Sequence, residues 1–313
     1  MPLQTAALGQ TLALELLERS LVSARIAPAY LFVGQDGIGK AMVARAFAGA
    51  LLECTDGRVV RSNHPDFLWI EPTFKKGEKL LTRSEALAEG ALPRSQPQIR
   101  MEQVRGIIQF LSRPAVEAQR RVVVLENAQT LGDGAANALL KVLEEPGAAT
   151  LILIVPELRV VLTTVVSRCQ KIPFVRLSDQ LVQTILAEHA LEAPSEIIAM
   201  SQGSPGRAKQ LLEWIATVPP DLLIALRKWS QSPLDLRSSL HLARQVDEAL
   251  TVEAQVLLVD YLQHLVWQAG QSQQLAALEK LRTQLLSYVS PRLAWEVSLA
   301  ALKVEENQSQ GTF

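Results

Sequence analysis

Apolar and polar positions alternate in two distinct rhythms along this chain. Residues 8 to 25 place Leu12, Leu14, Leu16, Leu17, Leu21 and Val22 on a helical stripe that Pro28 interrupts. Ala29-Tyr30-Leu31-Phe32-Val33 then reads as a short buried strand, followed by a glycine-rich segment and an alanine-rich helical run from Ala41 to Leu52. Polarity rises from Thr55 to Asn63 before the strand-like Phe67-Leu68-Trp69-Ile70. The stretch from Pro72 to Gln98 carries Lys75, Lys76, Lys79 and Arg83 and predicts a long surface excursion. A helix resumes near Met101 with Val104, Ile107, Ile108 and Leu111. Arg121 to Leu125 and Leu151 to Val155 are continuous apolar runs, as expected of strands covered on both faces. Between them a helix from Ala135 to Glu145 is stopped by Pro146. This alternation predicts an α/β domain with a parallel sheet.

Beyond Pro173 the apolar strands vanish and helical stripes follow one another. They cover Leu181 to Leu191, Ser195 to Met200, Gly206 to Thr217, Pro220 to Ser230, Leu236 to Leu250, Val252 to Ala269, Gln273 to Val289 and Pro291 to Val304. Pro219-Pro220 reads as a linker or hinge, and Ser290-Pro291 as a capped helix start. The last helices have wide apolar faces, for instance Val256, Leu257, Val259, Leu262, Leu265 and Val266, which must pack on each other or on partners.

Composition narrows the choices. With 313 residues the chain has room for about two domains. Its 31 Lys and Arg against 32 Asp and Glu give a net charge of −1, so charge alone does not argue for wrapping nucleic acid. Aromatic residues, at 5%, are too sparse for a base-stacking platform. Two cysteines, Cys54 and Cys169, cannot form a disulfide framework. The first residues lack a basic-then-apolar leader, and no apolar run approaches bilayer length. A soluble, cytoplasmic protein in a reducing compartment, with no membrane partner, is expected.

The segment Gly34-Gln35-Asp36-Gly37-Ile38-Gly39-Lys40 fits the phosphate-binding loop, in which small residues admit backbone N–H groups to the phosphates and lysine adds a point charge. The three fixed positions would arise by chance in roughly one chain in ten of this length. Their setting, after an apolar strand and before a helix, makes them specific. The next position is Ala41, where a working loop carries Ser or Thr on Mg²⁺, and a methyl group coordinates nothing. The acidic strand end that should read Asp-Glu reads Glu126-Asn127: one carboxylate is a methylene too long, and the amide cannot take a proton from water. ATP hydrolysis by this chain is therefore not expected.

The motifs continue through nearly the whole chain: Gly9-Gln10, Ala29 to Gly34, His64-Pro65-Asp66, Ala136 to Pro146 ending in Glu144-Glu145-Pro146, and Ser167-Arg168-Cys169-Gln170. Gly203-Ser204-Pro205-Gly206-Arg207-Ala208 and Ser290-Pro291-Arg292-Leu293-Ala294-Trp295-Glu296 complete the set. Together they resemble the clamp-loader branch of the AAA+ superfamily, and most of all the delta-prime family of bacterial DNA polymerase III. The resemblance implies an AAA+ α/β domain over residues 1–175, a small helical lid over 176–208, and an all-α collar domain over 209–313. It also implies that Arg168 projects into the ATP site of an adjacent subunit and stabilises charge on the transferring phosphoryl group. Gly34, Gly37, Gly39 and Lys40 would form a degenerate nucleotide site. For Arg207, the second sensor arginine of the family, two readings stand: contact with nucleotide, or a brace between lid and α/β domain. The first sensor position falls at Val155-Pro156, neither of which bonds a γ-phosphate through its side chain.

Many relatives carry a four-cysteine zinc module after the first α/β helix. Here Cys54 and His64 alone occupy that region, so zinc is expected to be absent, and His64 reads as a hydrogen-bonding residue at a strand entry. Cys169, with no histidine nearby in sequence, reads as a small buried side chain.

The expected function is thus a non-hydrolysing subunit of a clamp loader, which loads the sliding clamp on primed DNA. It would need no cofactor of its own, ATP and Mg²⁺ lying at the neighbour's site. The implied partners are gamma/tau-type ATPase and delta-type subunits, with primer-template DNA enclosed by the assembly. An active clamp-loader ATPase is the alternative, and a subunit that binds nucleotide without hydrolysis is a third. Arg105, Arg113 and Arg120 are candidates for facing the duplex, although a solvated basic face accounts for them too.

Overall fold

A computed structural model describes residues 3–90, 95–230, 235–287 and 289–301, with residues 272, 273 and 301 described by their backbone alone. The chain divides into two compact units: one runs to Ala190 and takes in Gln202–Arg207, and the other holds Leu191–Ser201 and the chain from Ala208 on. The segment expected to form a lid, 176–208, is shared between them.

The first unit is built on seven strands: β1 (Ala29–Val33), β2 (Phe67–Ile70), β3 (Phe74–Lys76), β4 (Lys79–Leu81), β5 (Arg121–Leu125), β6 (Ala149–Val155) and β7 (Gln170–Pro173). Five of them form a parallel sheet in the order β2-β5-β6-β1-β7. Its helices are α1 (Thr11–Val22), α2 (Lys40–Leu51), α3 (Arg83–Ala88), α4 (Met101–Leu111), α5 (Asp133–Glu144), α6 (Thr163–Val166) and α7 (Asp179–Glu188). Alternate strand residues enter opposite cores. Tyr30, Phe32, Val122, Val124, Ile152 and Ile154 pack with α1 and α2, whereas Leu31, Val123, Leu125, Leu151, Leu153 and Val155 pack with α4 and α5. Both faces being covered, the strands read as unbroken apolar runs.

Two features depart from the sequence reading. Strand β7 carries no apolar run in the sequence, because it is polar at the sheet edge and buries only Ile172. The expected surface excursion holds an antiparallel hairpin, β3 and β4, with Gly77 at φ 63° between the strands. After it comes α3, whose start is fixed by reciprocal bonds between Thr82 and Glu85. Phe74, Leu81 and Ala86 give this insertion a core of three side chains, too small to leave a periodic signature.

The second unit is helical: α8 (Ser195–Ser201), the body of α9 (Pro205–Ile215), α10 (Pro220–Trp229), α11 (Leu236–Ala249), α12 (Val252–Gln268), α13 (Ser272–Leu285) and α14 (Pro291–Ala301). Asp235 and Thr251 cap α11 and α12 through their side chains. The Pro219-Pro220 pair does not form a linker: Pro220 is the first residue of α10, where its missing N–H costs nothing. Helix α14 begins at Pro291 as expected, and the predicted remainder of that helix after Ala301 lies outside the described residues. Trp229, Tyr261 and Trp295 are buried at the centre. Trp295 Nε1 donates to Gln255 Oε1 at 2.9 Å while Gln255 Nε2 donates to Leu250 O at 3.0 Å, so this buried amide is satisfied at both ends. Leu236 and Leu240 on α11, and Leu293 and Val297 on α14, remain exposed on two helices that pack together.

The His64-Pro65-Asp66 motif acts structurally. His64 Nδ1 accepts the Asp66 N–H at 3.1 Å at the entry to β2. The fully buried Asp66 carboxylate accepts from Val116, Glu117 and Ala118 N–H at 2.7, 2.8 and 2.9 Å. Burial pushes the Asp66 carboxyl upward, but the three N–H donors and nearby Arg121 outweigh it and hold the pKa below the usual carboxylate value. Asp66→Asn should lower the unfolding free energy by about 2–4 kcal/mol in urea titrations. Since folding depresses this pKa, the contribution is complete above the carboxyl's ordinary range and is lost as pH falls through the depressed value. Acid should therefore destabilise the parent chain more steeply than the variant.

Candidate functional site

The glycine loop leaves the carboxyl end of β1, where Gly34 N donates to Val155 O of β6 at 3.2 Å. Gly37 and Gly39 take φ of 78° and 101°, which glycine adopts without strain. Lys40 opens α2 and is only 4% exposed. Its ammonium donates to Gly34 O, to Gln35 O at 2.9 Å and to Asp36 Oδ1 at 3.1 Å, one acceptor for each of its three N–H bonds. Burial pushes its pKa down, and Asp36 pulls it back.

Two further segments close on this loop. Gln10, 1% exposed, donates to Ile38 O at 3.2 Å and Val175 O at 2.9 Å and accepts from Val175 N at 3.0 Å, tying the start of α1 to the loop and to the exit of β7. From the other side, Ser204 Oγ donates to Asp36 O at 2.7 Å and Gly206 N to Gly37 O at 2.9 Å, while Arg207 N donates to Ser204 Oγ at 3.1 Å. The backbones meet at two glycines: a Cβ on Gly206 would lie 2.7 Å from Gly37 Cα, and one on Gly37 would lie 2.5 Å from Ser204 Oγ.

The acidic strand end is likewise engaged within the chain. Glu126 Oε2 accepts from Trp69 Nε1 at 3.1 Å, and the Arg45 guanidinium stands 3.9 Å over the Trp69 ring. Burial, reinforced by the Glu126 carboxylate, raises the pKa of neighbouring Glu71. Asn127 sits at φ 51° and its carbonyl accepts from Thr130 N and Oγ1, forming a turn at the end of β5. Val155 is fully buried. Among the described residues no three His, Cys, Asp or Glu side chains cluster closely enough to hold a metal ion. Around Cys54, the Sγ donates to Asp56 at 3.0 Å and Arg58 pairs with Asp56 and Glu117, and Arg45 donates to Val59 O, Val60 O and Ser62 Oγ.

Arg168 lies away from the glycine loop's own contacts, in the turn between α6 and β7. Val165 beneath it is buried in the core, and Cys169 packs against the same core, its thiol pushed up to about 11 by burial and thus inert as a nucleophile. On this base the Arg168 side chain stays 37% exposed, with Nη1 donating to Thr164 O at 3.0 Å and Nη2 to Glu144 Oε1 at 2.7 Å. Leu158, Val160 and Leu162, on the approach to α6, are also exposed. Sequence reasoning singled out Arg168 and the glycine loop but missed the roles of Asp36, Trp69, Glu144 and Ser204, whose partners are distant in sequence. Only Asp36, four residues before Lys40, carried a local signal. Arg105 and Arg113 are exposed, while Arg120 is half-buried and donates to Thr150 Oγ1 at 3.4 Å.

Residues 9–178 match the family described as DNA polymerase III, delta subunit, and residues 178–302 match the C-terminal domain of cyanobacterial DNA polymerase III delta prime. DNA polymerase III subunit delta' of Pseudomonas aeruginosa is 33% identical over 205 residues, covering 60% of this chain and 56% of that protein. The Bacillus subtilis subunit delta' is 28% identical over 188 residues, covering 56% of this chain and 50% of its own. The matches thus span about half the length of these relatives. Among solved structures, a DNA polymerase III gamma subunit-related protein from Thermotoga maritima superposes with a TM-score of 0.56 at 18% identity, over 93% of this chain and 98% of that one. That likeness is one of fold, in keeping with the AAA+ architecture expected from the sequence.

The contact between Gly37 and Gly206 is open to direct test. Gly37→Ala combines a positive φ with a 2.5 Å approach to Ser204 Oγ and should cost about 1–3 kcal/mol of unfolding free energy. An unchanged urea midpoint would mean that residues 204–207 do not close on the loop.

Proposed function

The chain belongs to the delta-prime family of DNA polymerase III subunits, and from that membership we propose that it works as a non-hydrolysing clamp-loader subunit that lends Arg168 to the ATP site of a neighbouring ATPase. The observation that carries this reading is the contrast between its two cationic centres. Lys40 is buried with every donor spent on its own loop, whereas Arg168, although Nη1 and Nη2 each donate one bond to Thr164 O and Glu144 Oε1, keeps 37% of its side chain exposed. A guanidinium in that setting can reach oxyanions on a facing subunit and stabilise charge developing on a transferring phosphoryl group. The exposed Leu158, Val160 and Leu162 beside it suit a surface that another protein covers.

Three observations favour the silent reading of the chain's own nucleotide site. Ala41 offers no metal ligand, Glu126 is held by Trp69, and residues 204–207 close over Asp36 and Gly37. Arg207 N donates to Ser204 Oγ at the start of α9, which fixes its backbone beside the loop and leaves both readings of its side chain, nucleotide contact and brace, standing. The proposed partners are the gamma/tau-type ATPase and delta-type subunits in the cytoplasm. The apolar residues Leu236, Leu240, Leu293 and Val297 are a face on which a helical collar could pack. Primer-template DNA would lie within the assembly. Arg105 and Arg113 are the exposed guanidinium groups on and just after α4 available to its phosphates, so contact by this chain alone should be weak and steeply salt-dependent.

In the reconstituted complex, Arg168→Ala should leave assembly intact and slow DNA-stimulated ATP hydrolysis, by about 10³-fold or more at the site it faces. An unchanged overall rate rejects the role in trans. The isolated chain should neither turn over Mg²⁺-ATP nor bind a non-hydrolysable analogue in calorimetry. Turnover that Lys40→Ala abolishes would instead identify an active ATPase, and binding without turnover a nucleotide-holding regulator.

A further inference from the structure

Glu144 is the last residue of α5, where a carboxylate meets the negative end of the helix dipole, an unfavourable arrangement unless a cation answers it. Glu145 follows directly, doubling the negative charge at that pole. The cation that answers is Arg168, whose Nη2 lies 2.7 Å from Glu144 Oε1 across 24 residues of sequence. A second acceptor, Thr164 O near the end of α6, takes Nη1 at 3.0 Å. Both helices that supply these acceptors rest on the same buried core, through Leu139, Val142 and Leu143 from α5 and Val165 from α6. The guanidinium is thus held at two points by groups that cannot drift apart.

An arginine carries five N–H donors in a plane. Two are used here, which leaves three for an external oxyanion. A free arginine side chain would surrender much of its rotamer entropy on reaching a phosphate, and this one, held at two points, has already surrendered part of it. The cost of the arrangement is electrostatic, since the carboxylate offsets part of the charge that the arginine presents.

We propose that Glu144 is the positioning residue of Arg168: together with the Thr164 carbonyl it splints the guanidinium so that its remaining donors face the neighbouring subunit's nucleotide phosphates. The proposal rests on the reading of Arg168 as a residue acting in trans, and the experiment separates the two. Complexes are reconstituted with the full chain bearing Glu144→Ala, Glu144→Gln, Arg168→Ala or both alanine changes, and DNA-stimulated ATP hydrolysis is measured against ATP concentration. Because Glu144 is exposed and caps nothing, co-elution with the other subunits and an unchanged melting curve should accompany each variant.

The fraction of kcat that Arg168→Ala removes sets the scale. Glu144→Ala should remove most of that fraction with little change in KM. Glu144→Gln, which keeps an oxygen acceptor at the same reach, should restore at least about half of it. The double variant should be no slower than Arg168→Ala alone, because Glu144 acts only through the arginine. A full rate in Glu144→Ala beside a slow Arg168→Ala overturns the positioning role while leaving the role in trans standing. A full rate in Arg168→Ala overturns both. Additive losses in the double variant, or a Glu144→Gln as slow as Glu144→Ala, would show that Glu144 contributes by its charge or its fold and not by orienting the guanidinium.

Discussion

A parallel sheet covered on both faces leaves little room for polar side chains in its central strands, so whatever chemistry it supports is pushed to the ends of those strands. Here every residue of β5 and β6 is buried, and their two polar residues, Arg121 and Thr150, sit in the first two positions of their strands. The glycine loop after β1, Glu126 after β5 and Pro156 after β6 therefore gather at one edge, and Asp66 serves the opposite edge, at the start of β2. The sheet decides where polar residues collect. It does not decide whether they face outward to a ligand or inward to each other.

At this edge they face inward. The ammonium of Lys40 is taken up by its own loop, the Glu126 carboxylate by an indole, and the carbonyls of Asp36 and Gly37 by the segment from Ser204 to Gly206. Each of these groups has the chemistry to meet a nucleotide, and each has found a partner within the chain. Such pairing follows from burial, because a polar group withdrawn from water costs about 1–3 kcal/mol if left unmatched. The arginine between α6 and β7 also has partners within the chain, Thr164 O and Glu144, but its turn is fastened from below by Val165 and Cys169, so that the pairing happens at the surface and not in the interior.

The parts of this arrangement that sequence could disclose are those with a local period. Strands β1, β2, β5 and β6 announce themselves as apolar runs, the C-terminal helices as stripes, and the glycine loop by its spacing between a strand and a helix. The edge strand β7 has one buried residue in four and no such rhythm, and the hairpin of β3 and β4 has a core of three residues. In the site, the departures from the usual metal-binding and acidic residues could be read at Ala41 and Asn127, since each is a simple change of functional group. The replacement partners could not, because Trp69 meets Glu126, Ser204 meets Asp36 and Glu144 meets Arg168 only after the chain has folded. Cys54 and His64 show the same limit from the other direction: their spacing gave no metal site, and the arginine-rich bonding that holds their loop rests on contacts with Glu117 that spacing does not reveal.

The meeting of Gly37 with Gly206 also bears on the order in which the molecule is made. The loop occupies an early stretch of the chain, yet two of its carbonyl groups acquire donors only when a segment from beyond the sheet returns to it. Contacts of such long sequence separation form late, since the closure entropy must be met before the bonds repay it. A nascent chain that has completed all five strands of the sheet still presents this edge with an open, incompletely bonded loop. Until residues 204–206 are in place, water is the partner of the Asp36 and Gly37 carbonyls, and the glycine loop is the last part of this edge to be completed.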